Sequence, residues 1–283
     1  MDIRPARGSS FRSLTHVAVQ RWVSHDSEDD SNVTIDLRSA GFIDTMGLAL
    51  VAAAAERGQN QGAHVEFISP VEPKVRNYMS RMHLRECLAQ VGVDTDLPAV
   101  RQRALNDQLL ELHRFDPTES EELADRLRDV IAAHSPSSSG AGNFYSSVSE
   151  VLENVVEHSG VGGGWAAMQT LPRSGGTEIT FAVADTGIGL RNSLSAHNDV
   201  VDDAAAVGMA FTKGVSGTGD DTRGEGLPDV YKRVRERGGI LRVWSGKAAG
   251  TSRRYDSISC ADAITHYPGT IIYASFNAQP KGV

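Results

Sequence analysis

Between residues 33 and 95 the hydrophobic pattern switches repeatedly between two periods, and this switching restricts the fold more than any other feature of the chain. "VTIDLRS" (33–39) alternates apolar and polar side chains, the period of a half-buried strand. "DTMGLALVAAAAERG" (44–58) sets Asp44 or Thr45 as a cap ahead of an apolar helical run and closes it on Gly58. "AHVEFISP" (63–70) reads as a second strand ended by Pro70, and "PKVRNYMSRMHLRECLAQVG" (73–92) as a second, amphipathic helix. Strand, helix, strand, helix in so short a span predicts a small α/β unit over residues 1–95. Upstream, "LTHVAVQRWV" (14–23) reads as a short helix leading into an acidic loop.

The second half is patterned differently. Residues 96–115 read as a connector with some helix. "DPTESEELADRLRDVIAAH" (116–134) opens on Asp-Pro and several carboxylates, which the positive end of a helix favours. A Ser/Gly-rich loop (135–142) then precedes a helix over 144–158. "WAAMQTL" and "TEITFAVAD", joined by "PRSGG", predict a β-hairpin. "DAAAVGMAF" is a helical patch within a segment (190–225) rich in Gly, Asp and Ser. In "LPDVYKRVRERGG", Leu227, Val230, Tyr231 and Val234 share one helical face, and Gly238 ends the helix. "ILRVWS" and "TIIYASF" read as strands separated by an irregular 247–268. Helices segregated against a mainly antiparallel sheet make an α/β sandwich over residues 116–283.

Composition limits the partners. Of 283 residues 40% are hydrophobic and 23% charged, enough for a packed core. A net charge of −8 argues against nucleic acid as the main partner, since phosphates are neutralised by a surplus of Lys and Arg. Cys87 and Cys260 lie far apart, outside any metal-ligand spacing, and read as reduced thiols. "MDIRPARGSS" has no apolar leader, and the longest small-apolar run, "GLALVAAAA" (47–55), is about half a membrane span. A soluble, cytoplasmic protein with no membrane partner is expected.

Three stretches suggest a site. In "SEVLENVVEHSG" (149–160), Glu150, Asn154 and His158 recur at intervals of four. They form a ladder along the border of the apolar arc made by Val148, Val151, Leu152, Val155 and Val156. Side chains on such a border can point into a pocket. "VADTGIGL" (183–190) sets Asp185 at a strand end, followed by Gly187 and Gly189. A buried carboxylate there can accept a hydrogen bond from an exocyclic amine, and two glycines let the backbone approach a flat ring. "GTGDDTRGEGLPDV" (217–230) runs a glycine-rich loop into a helix N-terminus, a setting that suits phosphate. It lacks the Gly-Lys-Ser/Thr of a P-loop and the parallel βαβ setting of a dinucleotide fold.

In that order, "EVLENVVEHSG", "DTGIG" and "RGEGL" resemble the N, G1 and G2 boxes of the GHKL superfamily (the Bergerat fold), and the first is most similar to that of the anti-sigma-factor serine kinases. The resemblance implies ATP and Mg2+ as cofactors. It implies Asn154 as the Mg2+ ligand, Glu150 as general base and Asp185 as reader of the adenine amine. Gly187 and Gly189 would lie near the base, Gly224, Gly226 and Leu227 on the phosphate loop, and Thr270 beside Asp185. Lys213, in "FTKG", would be a lid cation, with a solvated lysine as the alternative.

Residues 33–70 resemble a STAS domain, the fold of the anti-sigma-factor antagonists. Where phosphorylated antagonists carry the acceptor serine, this chain has Met46 in "DTMG", with Thr45 one residue early as a helix cap. The implied function is an ATP·Mg-binding regulator: a protein serine/threonine kinase or partner switch acting on a STAS-type antagonist, a sigma factor or a similar regulator, with a homodimer also open. The alternatives are a slow ATPase that drives lid or dimer rearrangement, and a non-catalytic ATP-binding module. Histidine autophosphorylation fits poorly, because of nine histidines only His25 precedes an acid, and it lies in a polar loop.

Overall fold

The computed structural model describes residues 1–5, 12–24, 31–100, 109–134, 148–157, 159–174, 176–215 and 226–278, and the chain is a mixed α/β protein. The first half holds β1 (Asp2–Ile3), β2 (Ser13–Leu14), β3 (Val23–Ser24), β4 (Asn32–Asp36), β5 (Phe42–Ile43) and β6 (His64–Ile68). Four of these form a sheet in the order β3-β1-β4-β6, while β2 and β5 pair in parallel beside it. β4 and β6 run parallel with Ile35 opposite Phe67, so a crossover must join them; α1 (Thr45–Asn60) is that crossover.

Asp44 caps α1, its Oδ1 accepting the Gly47 N–H at 3.0 Å. Thr45 is no cap: it is fully buried, and its hydroxyl has no partner among the described residues. The predicted helix over 14–23 is instead a turn with one 3-10 segment, Val19–Arg21, between β2 and β3. The predicted single helix over 73–92 is broken into α2 (Pro73–Arg81) and α3 (Leu84–Gln90), because His83 adopts φ 62°, which no α-helix accommodates.

The second half is built on one antiparallel sheet. Its strands are β7 (Leu109–Phe115), β8 (Gly164–Arg173), β9 (Gly176–Ala184), β10 (Ile240–Arg253) and β11 (Ser259–Asn277), in the order β10-β11-β9-β8-β7. The β8–β9 hairpin closes with Arg173 opposite Gly176, as the sequence predicts. Two segments depart from expectation. Residues 109–115, read as connector, form the edge strand β7. Residues 247–268 are not irregular: β10 and β11 continue as a long ribbon to Thr251 opposite Ser259, past register shifts at Ser245/Gly246 and Gly246/Ala248. Those shifts break the two-residue alternation that marks a strand in sequence.

Both faces of this sheet are covered. On one, Ala166, Met168, Phe181, Val183 and Ile272 meet α4 (Ser120–His134), α5 (148–157) and a later helix over Gly226–Glu236. On the other, Trp165, Ala167, Ala182, Ala184, Ile271 and Tyr273 join the core of the first half, against α1. The layers thus run helices, five-stranded sheet, α1, four-stranded sheet. A helix enclosed between two sheets must be apolar and small-sided all round, and Thr45–Ala55 is buried without interruption. No helix among the described residues is long and apolar enough to cross a membrane.

Candidate functional site

β9 is the middle strand of the large sheet, and its last paired residue, Ala184, is bonded on both sides, opposite Trp165 and Ile271. Asp185 is therefore the first residue beyond the ladder. Its backbone N–H donates to the Thr270 carbonyl at 2.9 Å, and its carboxyl Oδ1 accepts the Gly187 N–H at 2.8 Å. The side chain is only 5% exposed. Burial pushes its pKa up to about 7, while the Gly187 and Thr270 backbone N–H groups pull the other way.

Asp185 forms part of the lining of a cleft whose walls come from four further elements. These are α5, α6 (Gly189–Leu194), α8 (Gly226–Glu236) and β11. From the predicted set the cleft collects Asn154, Asp185, Gly189, Leu227 and Thr270. Val151, Val155, Leu190, Leu194 and Ile272 make the rest of the wall largely apolar. A nearly buried carboxyl in an apolar slot suits a flat ring that carries a hydrogen-bond donor. The Asn154 amide lies on the same wall one turn after Glu150, and its oxygen is of the hard type that Mg2+ takes. Among the described residues no cluster of three His, Cys, Asp or Glu side chains competes for a metal ion.

The other predicted residues lie around this cleft. Gly187 faces Ser159, the residue two after α5: a Cβ on Gly187 would overlap the Ser159 carbonyl oxygen, and the Ile188 N–H donates to the same oxygen at 2.8 Å. Its place is to dock the Asp185 loop on the end of α5. Glu150 stands at the junction of α5 and α8, where a Cβ on Gly226 would come within 2.7 Å of the Glu150 Cβ. Lys213 is exposed in the turn after α7 (Asp203–Met209), two residues before Val215, which lines the cleft. Gly224, His158 and most of the glycine-rich loop lie outside the described residues.

Two residues outside the predicted set also shape the site. Gly269 adopts φ +102°, and a Cβ there would lie 2.7 Å from Asp185 Oδ1; only glycine leaves the carboxyl its space. Buried Ser245 accepts the Leu190 N–H through Oγ at 2.9 Å and donates to the Gly269 carbonyl at 2.7 Å. It thereby ties the start of α6 to the turn before Thr270. Gly269 precedes Thr270 in a stretch that the sequence already marks, whereas Ser245 carries no local signal because it acts at a bulge between strands. No protein-family model matches this chain, and no curated protein matches it.

Proposed function

We propose that the chain is an ATP·Mg-binding regulatory protein of the anti-sigma-kinase type within the GHKL superfamily, with a STAS-like first half, and that it passes phosphate to a hydroxyl on a separate protein. The observation that carries this reading is the convergence of Asn154, Asp185, Gly189, Leu227 and Thr270, from four separate stretches of the sequence, on one cleft. The buried Asp185 carboxyl would read the adenine amine, Asn154 would supply an oxygen to Mg2+, and the start of α8 would face the phosphates. ATP·Mg brings the transferable phosphoryl group. This chain's residues bind, orient and exclude water around it.

The acceptor belongs to another chain because this one offers none at the matching place. Met46 stands at the acceptor position and is 1% exposed, and neighbouring Thr45 is 0% exposed. The partner would be a STAS-type antagonist or a similar regulator carrying a free serine or threonine.

Thermal unfolding with and without ATP·Mg tests the binding step. At a hundredfold excess over Kd, a single-site ligand stabilises by about 2.7 kcal/mol. That stabilisation should be lost in Asn154→Ala and strongly reduced in Asp185→Asn; unchanged shifts in both would remove the nucleotide from this cleft. Labelled ATP then follows the phosphate. Label on an added STAS protein supports the kinase, phosphate release without an acceptor makes the chain a slow ATPase, and binding without turnover makes it a switch.

A further inference from the structure

A second cavity lies behind the Asp185 loop, lined by Gly187 and Gly189 from that loop and by residues from both halves of the chain. Arg57 enters it from the last turn of α1 and donates through Nη1 to the Thr186 carbonyl at 3.1 Å. That bond engages one N–H of a guanidinium that carries five, and no carboxylate pairs with Arg57 among the described residues. Lys247, exposed on β10, lines the same cavity, and its ammonium likewise has no carboxylate partner among the described residues.

One acid is present, Asp203, and it is already engaged. It accepts the Lys247 backbone N–H through Oδ2 at 2.7 Å and faces Arg191 Nη1 from Oδ1 at 3.7 Å. Arg191 balances Asp203, which leaves Arg57 and Lys247 in surplus on a chain whose net charge is −8. Asn192, His266 and Tyr267 also line the cavity.

The geometry points to a second binding site here, for a free oxyanion of phosphate size. Such an ion carries negative charge to match Arg57 and Lys247, and enough acceptor oxygens to meet both the guanidinium fork and the ammonium. The site draws residues from both halves, so it exists only in the assembled chain. It does not depend on the nucleotide reading of the neighbouring cleft.

The test is calorimetric titration of the full chain with inorganic phosphate, against sodium chloride and acetate at matched ionic strength. Saturable one-site binding of phosphate is expected, with neither control ion competing. Lys247→Ala removes an exposed side chain and leaves the fold intact; it should weaken phosphate binding about tenfold, the loss of one charge-assisted contact. The proposal is overturned if phosphate shows no saturable binding, or if it binds Lys247→Ala as tightly as the wild type, since binding at the start of α8 would survive that change.

Discussion

Asp185 concentrates the chemistry of the candidate site in one side chain, and its burial makes a pH-dependent prediction. In the unfolded chain a carboxyl of this kind ionises near 3.8; in the folded protein it ionises at about 7. Below 3.8 it is neutral in both states. Between the two values only the unfolded state releases the proton, so stability falls as pH rises through that window and then levels off. The full loss is about 4 kcal/mol as an upper figure. Melting curves from pH 4 to 8 should therefore show Asp185→Asn gaining on the wild type as pH rises; parallel curves would mean the carboxyl is better solvated than its burial implies. Gly187 makes the complementary point about space. Gly187→Ala drives a methyl group into the Ser159 carbonyl and should cost about 3 kcal/mol in urea unfolding, as an overpacked contact does. At this scale the sequence was informative about Asn154, Asp185, Gly189, Leu227 and Thr270, because each sits in a short motif. It was silent about Ser245, whose partners lie at Leu190 and Gly269, too far along the chain for any local pattern to join them.

Among the elements, α1 is the one that everything else depends on. Near its C-terminal end, Glu56 accepts Arg114 Nε from β7 at 2.6 Å and the indole N–H of buried Trp165 from β8 at 2.7 Å. One carboxylate thus fastens the helix of the first half to two strands of the second. Glu56→Ala strands the indole N–H in the core and should destabilise by about 2 kcal/mol. Glu56→Gln keeps one acceptor and should lose about half of that; equal losses in chemical denaturation would show that the side chain acts by packing alone. The helices and strands with clean periods, such as the β8–β9 hairpin and the face of α8, were legible in sequence. β7 and the distal β10–β11 ribbon were not. An edge strand that pairs on one side, and a ribbon bent by bulges, dilute the alternation on which recognition depends.

For the whole molecule, the question is why an antiparallel sheet is buried on both faces, when such sheets commonly keep one face toward water. The answer is that α1 and its neighbours occupy the second face, with Trp165, Ile271 and Tyr273 in their core. The two halves should therefore unfold together. Fluorescence and circular dichroism should give coincident transitions, and residues 109–283 expressed alone should bind an apolar dye or aggregate through the uncovered face. Two separated transitions would instead make the halves independent. By itself, the sequence determined the strand–helix–strand core of the first half, the helix-and-antiparallel-sheet character of the second and the residue types that line the cleft. These rest on local periodicity and short motifs, which neighbouring residues specify. Tertiary structure alone decided that the apolar helix "GLALVAAAA" is enclosed between two sheets, that Arg57 and Lys247 from the two halves line one cavity and that Met46 lies out of reach of solvent. Each of those depends on which distant surfaces bury one another, and a pattern of apolar side chains states that a face must be covered without stating by what.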